Sequence, residues 1–300
     1  MKNVRILAVI VCMMAVMNVA SADTIRGIGM DFVTIGNPGN AADTQVMTTD
    51  GTTGYGSVGY NYRIGKYEIT NAQWNTFVSA AGVPTGNPTI AYDQSALYTG
   101  NQQPTNNVSW YEAAQFCNYL TSGDKSLGAY QLGTDGSITV DRDAAISAYG
   151  TAYVIPTEDE WYKAAYYKPN DSGYSLYANG LNAIPAVDDG WNTWGGSYST
   201  PWDVGTGTQE QNGTFDMMGN IWEWNETLVS GYRGVRGGGY YGDAVYYVGQ
   251  GYLPSTYRSW NWPYYEIDWS DVGFRIAEVP EPATLLLLGL GVVMLRRKKH

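Results

Sequence analysis

Three stretches of the chain place apolar residues on one helical face, and each opens with the same four-residue signature. Thr70-x-x-Gln73, Ser109-x-x-Glu112 and Thr157-x-x-Glu160 are capping boxes, in which a cap hydroxyl and a returning side chain satisfy backbone donors that a helix start leaves orphaned. The stripes that follow run through Trp74, Phe77, Val78 and Ala81, through Trp110, Ala113, Ala114 and Cys117, and through Trp161, Ala164 and Ala165. Three helices are predicted. Cys117 falls on the inward stripe of the second, where a thiol behaves as a small hydrophobe. Between the second and third helices, residues 129–150 alternate weakly about Asp135-Gly136, a hairpin turn pair. The remainder is rich in Gly, Asn, Asp, Tyr and Trp with short extended pieces, which suits irregular loops pinned by a few helices and small sheets.

The two ends carry apolar runs of another kind. Lys2 and Arg5 precede the run Ile6–Ala20, and Ala20-Ser21-Ala22 is a small-residue cleavage site, so residues 1–22 read as a secretory signal peptide. At the other end Val279-Pro280-Glu281-Pro282 leads into the apolar run 283–295 and then Arg296-Arg297-Lys298-Lys299. That three-part tail, residues 279–300, resembles the PEP-CTERM sorting signal, which implies processing by an exosortase and delivery to the outer surface or extracellular matrix. A plain C-terminal anchor is the alternative. Both place the basic residues in the cytoplasm and the body outside.

Residues 23–278 are long enough for a sizeable core and show no repeat or linker that would divide them. Without the end segments they hold eleven basic against 27 acidic residues, a net charge of −16. Such a charge argues against nucleic acid or anionic lipid as the main partner. Cys12 lies in the signal peptide, which leaves Cys117 as the one mature thiol, and the single histidine is His300 at the end of the tail. No intramolecular disulfide forms, and no Ser-His or Cys-His pair is available. Zinc and non-haem iron lose their usual imidazole ligands as well, so neither is expected.

GKYEITNAQW (65–74), NNVSWYEAAQFCNYL (106–120), VIPTEDEWYKAAYY (154–167), FDMMGNIWEW (215–224), VRGGGYY (235–241) and DVGFR (271–275) occur in this order. Together they resemble the formylglycine-generating enzyme, or sulfatase-modifying factor, family. The resemblance implies an α+β fold of the C-type-lectin-like type, with three main helices and small antiparallel sheets. In copper-dependent members, two cysteines five residues apart hold copper(I). Reading Gly237-Gly238-Gly239 onto the family's RGGS segment puts those positions at Gly242 and Tyr247, so no copper is expected here. Relatives that use histidine-bound iron need histidines and a further helical domain that this chain lacks.

The resemblance also implies structural calcium. One family site would take Asn179 and Asp189 by side chain and Gly180 and Trp191 by carbonyl; a second would take Asn220 and Glu223 by side chain and Ile221 by carbonyl. Mixed oxygen ligation of this kind suits a hard cation. The competing reading is that Asn179 and Asn220 cap turns while Trp222 and Trp224 fill the core. Arg236 and Arg275 are expected to make fixed planar hydrogen bonds that tie the C-terminal segments together. The aromatic stretch 240–269 lines the family's substrate groove, with Tyr240, Tyr241, Tyr247, Arg258, Trp260 and Trp262 as its candidate lining. Half of that cluster is expected in the core.

Three functions are compatible with these residues. The first is an exported, non-catalytic binding or matrix module with a carbohydrate or peptide ligand. The second is a divergent oxidoreductase that modifies exported proteins, and the third a lectin-fold binder with a variable groove.

Overall fold

A computed structural model of the chain describes residues 21–92, 95–183, 200–240, 251–264 and 271–280. The three predicted helices form where the capping boxes place them: α1 (Asn71–Ala81), α2 (Trp110–Ser122) and α4 (Glu158–Tyr166). Each box closes reciprocally. In the third, the Glu160 amide donates to Thr157 Oγ1 at 3.2 Å and the Thr157 amide donates to Glu160 Oε2 at 2.7 Å. A fourth helix, α3 (Arg142–Tyr149), occupies the second half of the 129–150 stretch, after the hairpin of β4 (Tyr130–Leu132) and β5 (Ile138–Val140). Its cap is Asp141 without a returning Glu or Gln, and it buries only Ala145 and Ile146, so the pattern that marks the other three is missing.

Five strands form the main sheet: β1 (Ser21–Ile25), β2 (Ile28–Ile35), β3 (Tyr62–Gly65), β6 (Thr151–Val154) and β11 (Ala277–Pro280). Their order is β1-β2-β3-β11-β6, with every neighbour antiparallel. β11 therefore lies between β3 and β6, and the first and last strands of the described residues share one sheet. Ser21 and Ala22 pair with Phe32 and Asp31, and Val279 and Pro280 pair with Ala152 and Thr151. The folded body thus takes in two residues beyond each limit of the 23–278 segment.

A second sheet has the order β10-β7-β8-β9, from β7 (Trp222–Val229), β8 (Tyr232–Arg236), β9 (Ser259–Asn261) and β10 (Val272–Gly273). β10 joins it parallel to β7, and β9 is its outer edge. The core between α1, α2 and the segment after β10 is aromatic: Trp74 stacks on Phe116 at 6.0 Å, and Phe274 meets Phe116 edge-on at 5.4 Å. Such geometries add to the area buried. Cys117 on α2 is fully buried, and desolvation raises its thiol pKa well above the usual value.

Candidate functional site

The FDMMGNIWEW segment turns sharply before β7. Gly219 and Asn220 both have positive φ (94° and 61°), which short polar residues and glycine tolerate. The turn is held by the Asn220 side chain, whose Oδ1 accepts from the Trp202 amide at 2.9 Å and whose Nδ2 donates to Glu68 Oε1 at 3.0 Å. Glu223 follows inside β7, fully buried. Both its oxygens face Arg275: Nε donates to Oε2 and Nη2 to Oε1, each at 2.6 Å, while Trp161 Nε1 donates to Oε2 at 2.8 Å. Arg275 also donates to the carbonyls of Gly65 and Phe215.

This arrangement bears on the second calcium set. Glu223 is the bidentate partner of a buried guanidinium, the pairing that best satisfies both groups. Asn220, Ile221 and Glu223 as arranged therefore do not fit an open cation site, and a cation there would have to displace Arg275. Burial also raises the neighbouring carboxyls, Glu210 to about 8, Asp216 to about 6 and Glu68 well above the usual range.

Of the first calcium set, Asn179 and Gly180 lie in a turn. Asn179 Oδ1 accepts from the Leu181 amide at 3.0 Å, and Gly180 has φ 84°. Asp189 and Trp191 lie outside the described residues, as do Tyr241, Gly242 and Tyr247.

The described part of the aromatic stretch divides in two. Tyr240 is buried, with its hydroxyl 3.1 Å from that of Tyr98. Arg258 is buried too, paired to Glu158 at 2.7 Å and Asp50 at 3.3 Å. Arg236 takes the other oxygen of Glu158 and donates to the carbonyls of Ser255 and Tyr257, so Glu158 bridges two buried arginines. The polar ends of Tyr240 and Arg258 are thus engaged inside the protein. Behind them, Gly239 has no side chain where a Cβ would stand 2.4 Å from Asp271 Oδ2.

The other half lies on β9 and in the residues that follow it. Trp260 is half-buried and Trp262 is 43% exposed. Trp262 stacks on Tyr264 at 5.6 Å and 22°, and Tyr232 of β8 meets it edge-on at 4.4 Å. Neither Glu158 nor Tyr232 was singled out by the sequence. Glu158 was visible as an acidic residue opening α4, which a helix dipole alone would explain.

With this geometry, comparison with known proteins is informative. Residues 37–279 match the sulfatase-modifying factor enzyme 1-like domain, and residues 278–299 match the PEP-CTERM protein-sorting motif. The chaperone protein LppX of Paenibacillus barcinonensis is 25% identical over 209 residues, which cover 60% of this chain and 69% of that protein. Among solved structures, Treponema denticola variable protein 1 superposes with a TM-score of 0.59 at 21% identity, covering 88% of this chain and 99% of that one. PvdO from Pseudomonas aeruginosa gives 0.59 at 16% identity over 87% of this chain and 98% of its own. CarF gives 0.56 at 21% identity over 84% and 99%. These likenesses establish the shared fold. The chain belongs to the sulfatase-modifying factor enzyme 1-like family, as an exported member whose C-terminus carries a PEP-CTERM sorting motif.

Proposed function

We propose that this protein is a non-catalytic ligand-binding or matrix module, displayed outside the cell after exosortase-type processing of its tail. The observation that carries the reading is the ring set of exposed Trp262 with half-buried Tyr232 and Tyr264, next to the edge strand of the second sheet. Large rings with polar tips held rigidly at a surface are suited to stacking on a sugar ring or a peptide side chain. The sequence supports the absence of copper chemistry, since Gly242 and Tyr247 occupy the family's thiol positions. Binding is tested by titrating the protein with neutral oligosaccharides and peptides and following tryptophan fluorescence. A ligand so found should bind Trp262→Ala about tenfold more weakly, the loss of one stacking contact of roughly 1–1.5 kcal/mol. Equal affinity of parent and variant would remove this surface from the reading.

We further propose a structural calcium ion at the Asn179–Gly180 turn, completed by Asp189. The support is the oxygen-rich ligand set and the turn that orients Asn179 Oδ1. An ion that binds only the folded state raises the melting temperature by mass action. Excess calcium should therefore stabilise the parent and not Asp189→Ala. An identical response of the two proteins would count against this site.

A further inference from the structure

The five-stranded sheet sends both ends of the body out of the same pole. β2 runs toward Ile35, and the antiparallel ladder places Tyr62 opposite it. β11 runs the same way as β2 and ends at Pro280, opposite Thr151, the first residue of β6. β1 starts on this side as well, because Ser21 pairs with Phe32 and the strand runs antiparallel to β2, away from Ile35. The apolar run Ile6–Ala20 stops next to Ser21, and the apolar run 283–295 starts three residues after Pro280. Three residues span at most about 11 Å. While the tail is in the membrane, this pole cannot be far from the lipid.

The pole is also chemically distinct. The β2–β3 connection at this pole, residues 36–61, has Asp43 and Asp50 as its only charged residues, the first accepting from the Tyr162 hydroxyl and the second paired with Arg258, and the later part of α3 with its cap, residues 144–150, has none, although the body carries a net charge of −16. Exposed tyrosines stand on both, Tyr60 at 39% and Tyr149 at 43%. α3 is polarised in the same sense, with Asp141, Arg142 and Asp143 at its start and Tyr149 at the end nearest Pro280. The charged groups brought against these loops are already bonded within the protein. Asp159 accepts from the Gly56 amide, Glu160 from Tyr60, and Asp171 from Tyr167, while Lys163 donates to the Asn37 carbonyl. An acidic pole would be repelled by the negative potential of anionic lipids, whereas tyrosine settles at the headgroup level.

We propose that this pole, whose few charged groups are bonded within the protein, is the face that the protein lays against the bilayer while its C-terminal segment is anchored. The occupant is the lipid surface itself. Processing at the tail then takes place beside a seated domain, since only Glu281 and Pro282 separate the sheet from the apolar run.

The test uses the full chain in vesicles of neutral and anionic phospholipid, in a Cys12→Ser background. Single cysteines at Asn61→Cys, Tyr149→Cys and Leu127→Cys carry a fluorophore, and headgroup-nitroxide lipid is the quencher. Leu127 is exposed in the loop that follows α2, whose cap Gly123 lies against Arg26 in the β1–β2 turn at the far pole. With strands rising about 3.3 Å per residue, the far pole stands well beyond quenching range, so labels at 61 and 149 should be quenched about threefold more than the label at 127. Adding Asn61→Glu and Ala148→Glu to the Tyr149 probe should reduce its quenching in anionic vesicles. Equal quenching of all three labels, or stronger quenching at 127, would overturn the proposal.

Discussion

Replacing Arg275 with alanine is expected to destabilise the protein by about 3–5 kcal/mol, the range for removing one partner of a buried ion pair. Arg275 and Glu223 are both fully buried, joined by two hydrogen bonds of 2.6 Å. Without the guanidinium, Glu223 would keep only the Trp161 indole as a donor, and the Gly65 and Phe215 carbonyls would lose theirs. Arg275, just before β11, thus ties β7 to the end of β3 and to the Phe215 segment, and α4 joins through the Trp161 bond to Glu223. Most of the loss should come from stranding a charge rather than from the intrinsic worth of the pair. Arg275→Met combined with Glu223→Gln should therefore be more stable than Arg275→Ala alone. Urea midpoints at constant slope measure both. A loss below about 1 kcal/mol for Arg275→Ala would mean that water replaces the guanidinium, against the burial described.

Trp110→Ala is expected to cost about 3–5 kcal/mol, as large-to-small changes of buried aromatics do. The ring is fully buried at the start of α2, with Nε1 donating to the Asn225 carbonyl at 3.2 Å and Tyr130 meeting it edge-on at 5.1 Å. The Arg233 guanidinium lies 3.9 Å from its centroid. Arg233 is itself buried, and desolvation lowers its pKa, so the π-face is part of what stabilises its charge. Trp110→Phe retains a smaller face and should lose less. The backbone amide of Trp110 donates to the Pro263 carbonyl, next to Trp262, so thermal melts of the alanine variant should also show early loss of the exposed ring stack. Equal stability of the alanine and phenylalanine variants would contradict the stacking argument.

What the sequence made legible was local. A capping box needs only four consecutive residues, and all three predicted helices start where their boxes lie. α3 escaped because its cap is a lone Asp141 and its buried face is two residues wide. The partner of Glu223 was invisible for a different reason. Arg275 lies 52 residues on, and a carboxylate in a WEW segment looks the same whether it meets a guanidinium or a cation. The aromatic stretch shows the same limit. Tyr240 and Trp262 carry similar side chains, yet the first ends against Tyr98 inside the fold and the second is exposed just after the edge strand β9, a division that tertiary pairing decides. The limits of the body shifted by two residues at each end because β1 and β11 find their partners elsewhere in the chain.

The central claim is a family fold without the family's copper oxidation, and the most direct measurement is chemical. The protein is incubated with copper(I), oxygen and a sulfatase-type cysteine peptide, and aldehyde is followed by mass spectrometry. Copper(I) prefers soft sulfur ligands. Gly242 and Tyr247 offer no thiol, and Cys117, the one cysteine among the described residues, is buried in α2. The account predicts no aldehyde above a control without protein, and no tight copper(I) binding. Catalytic aldehyde formation by the unmodified protein would contradict it.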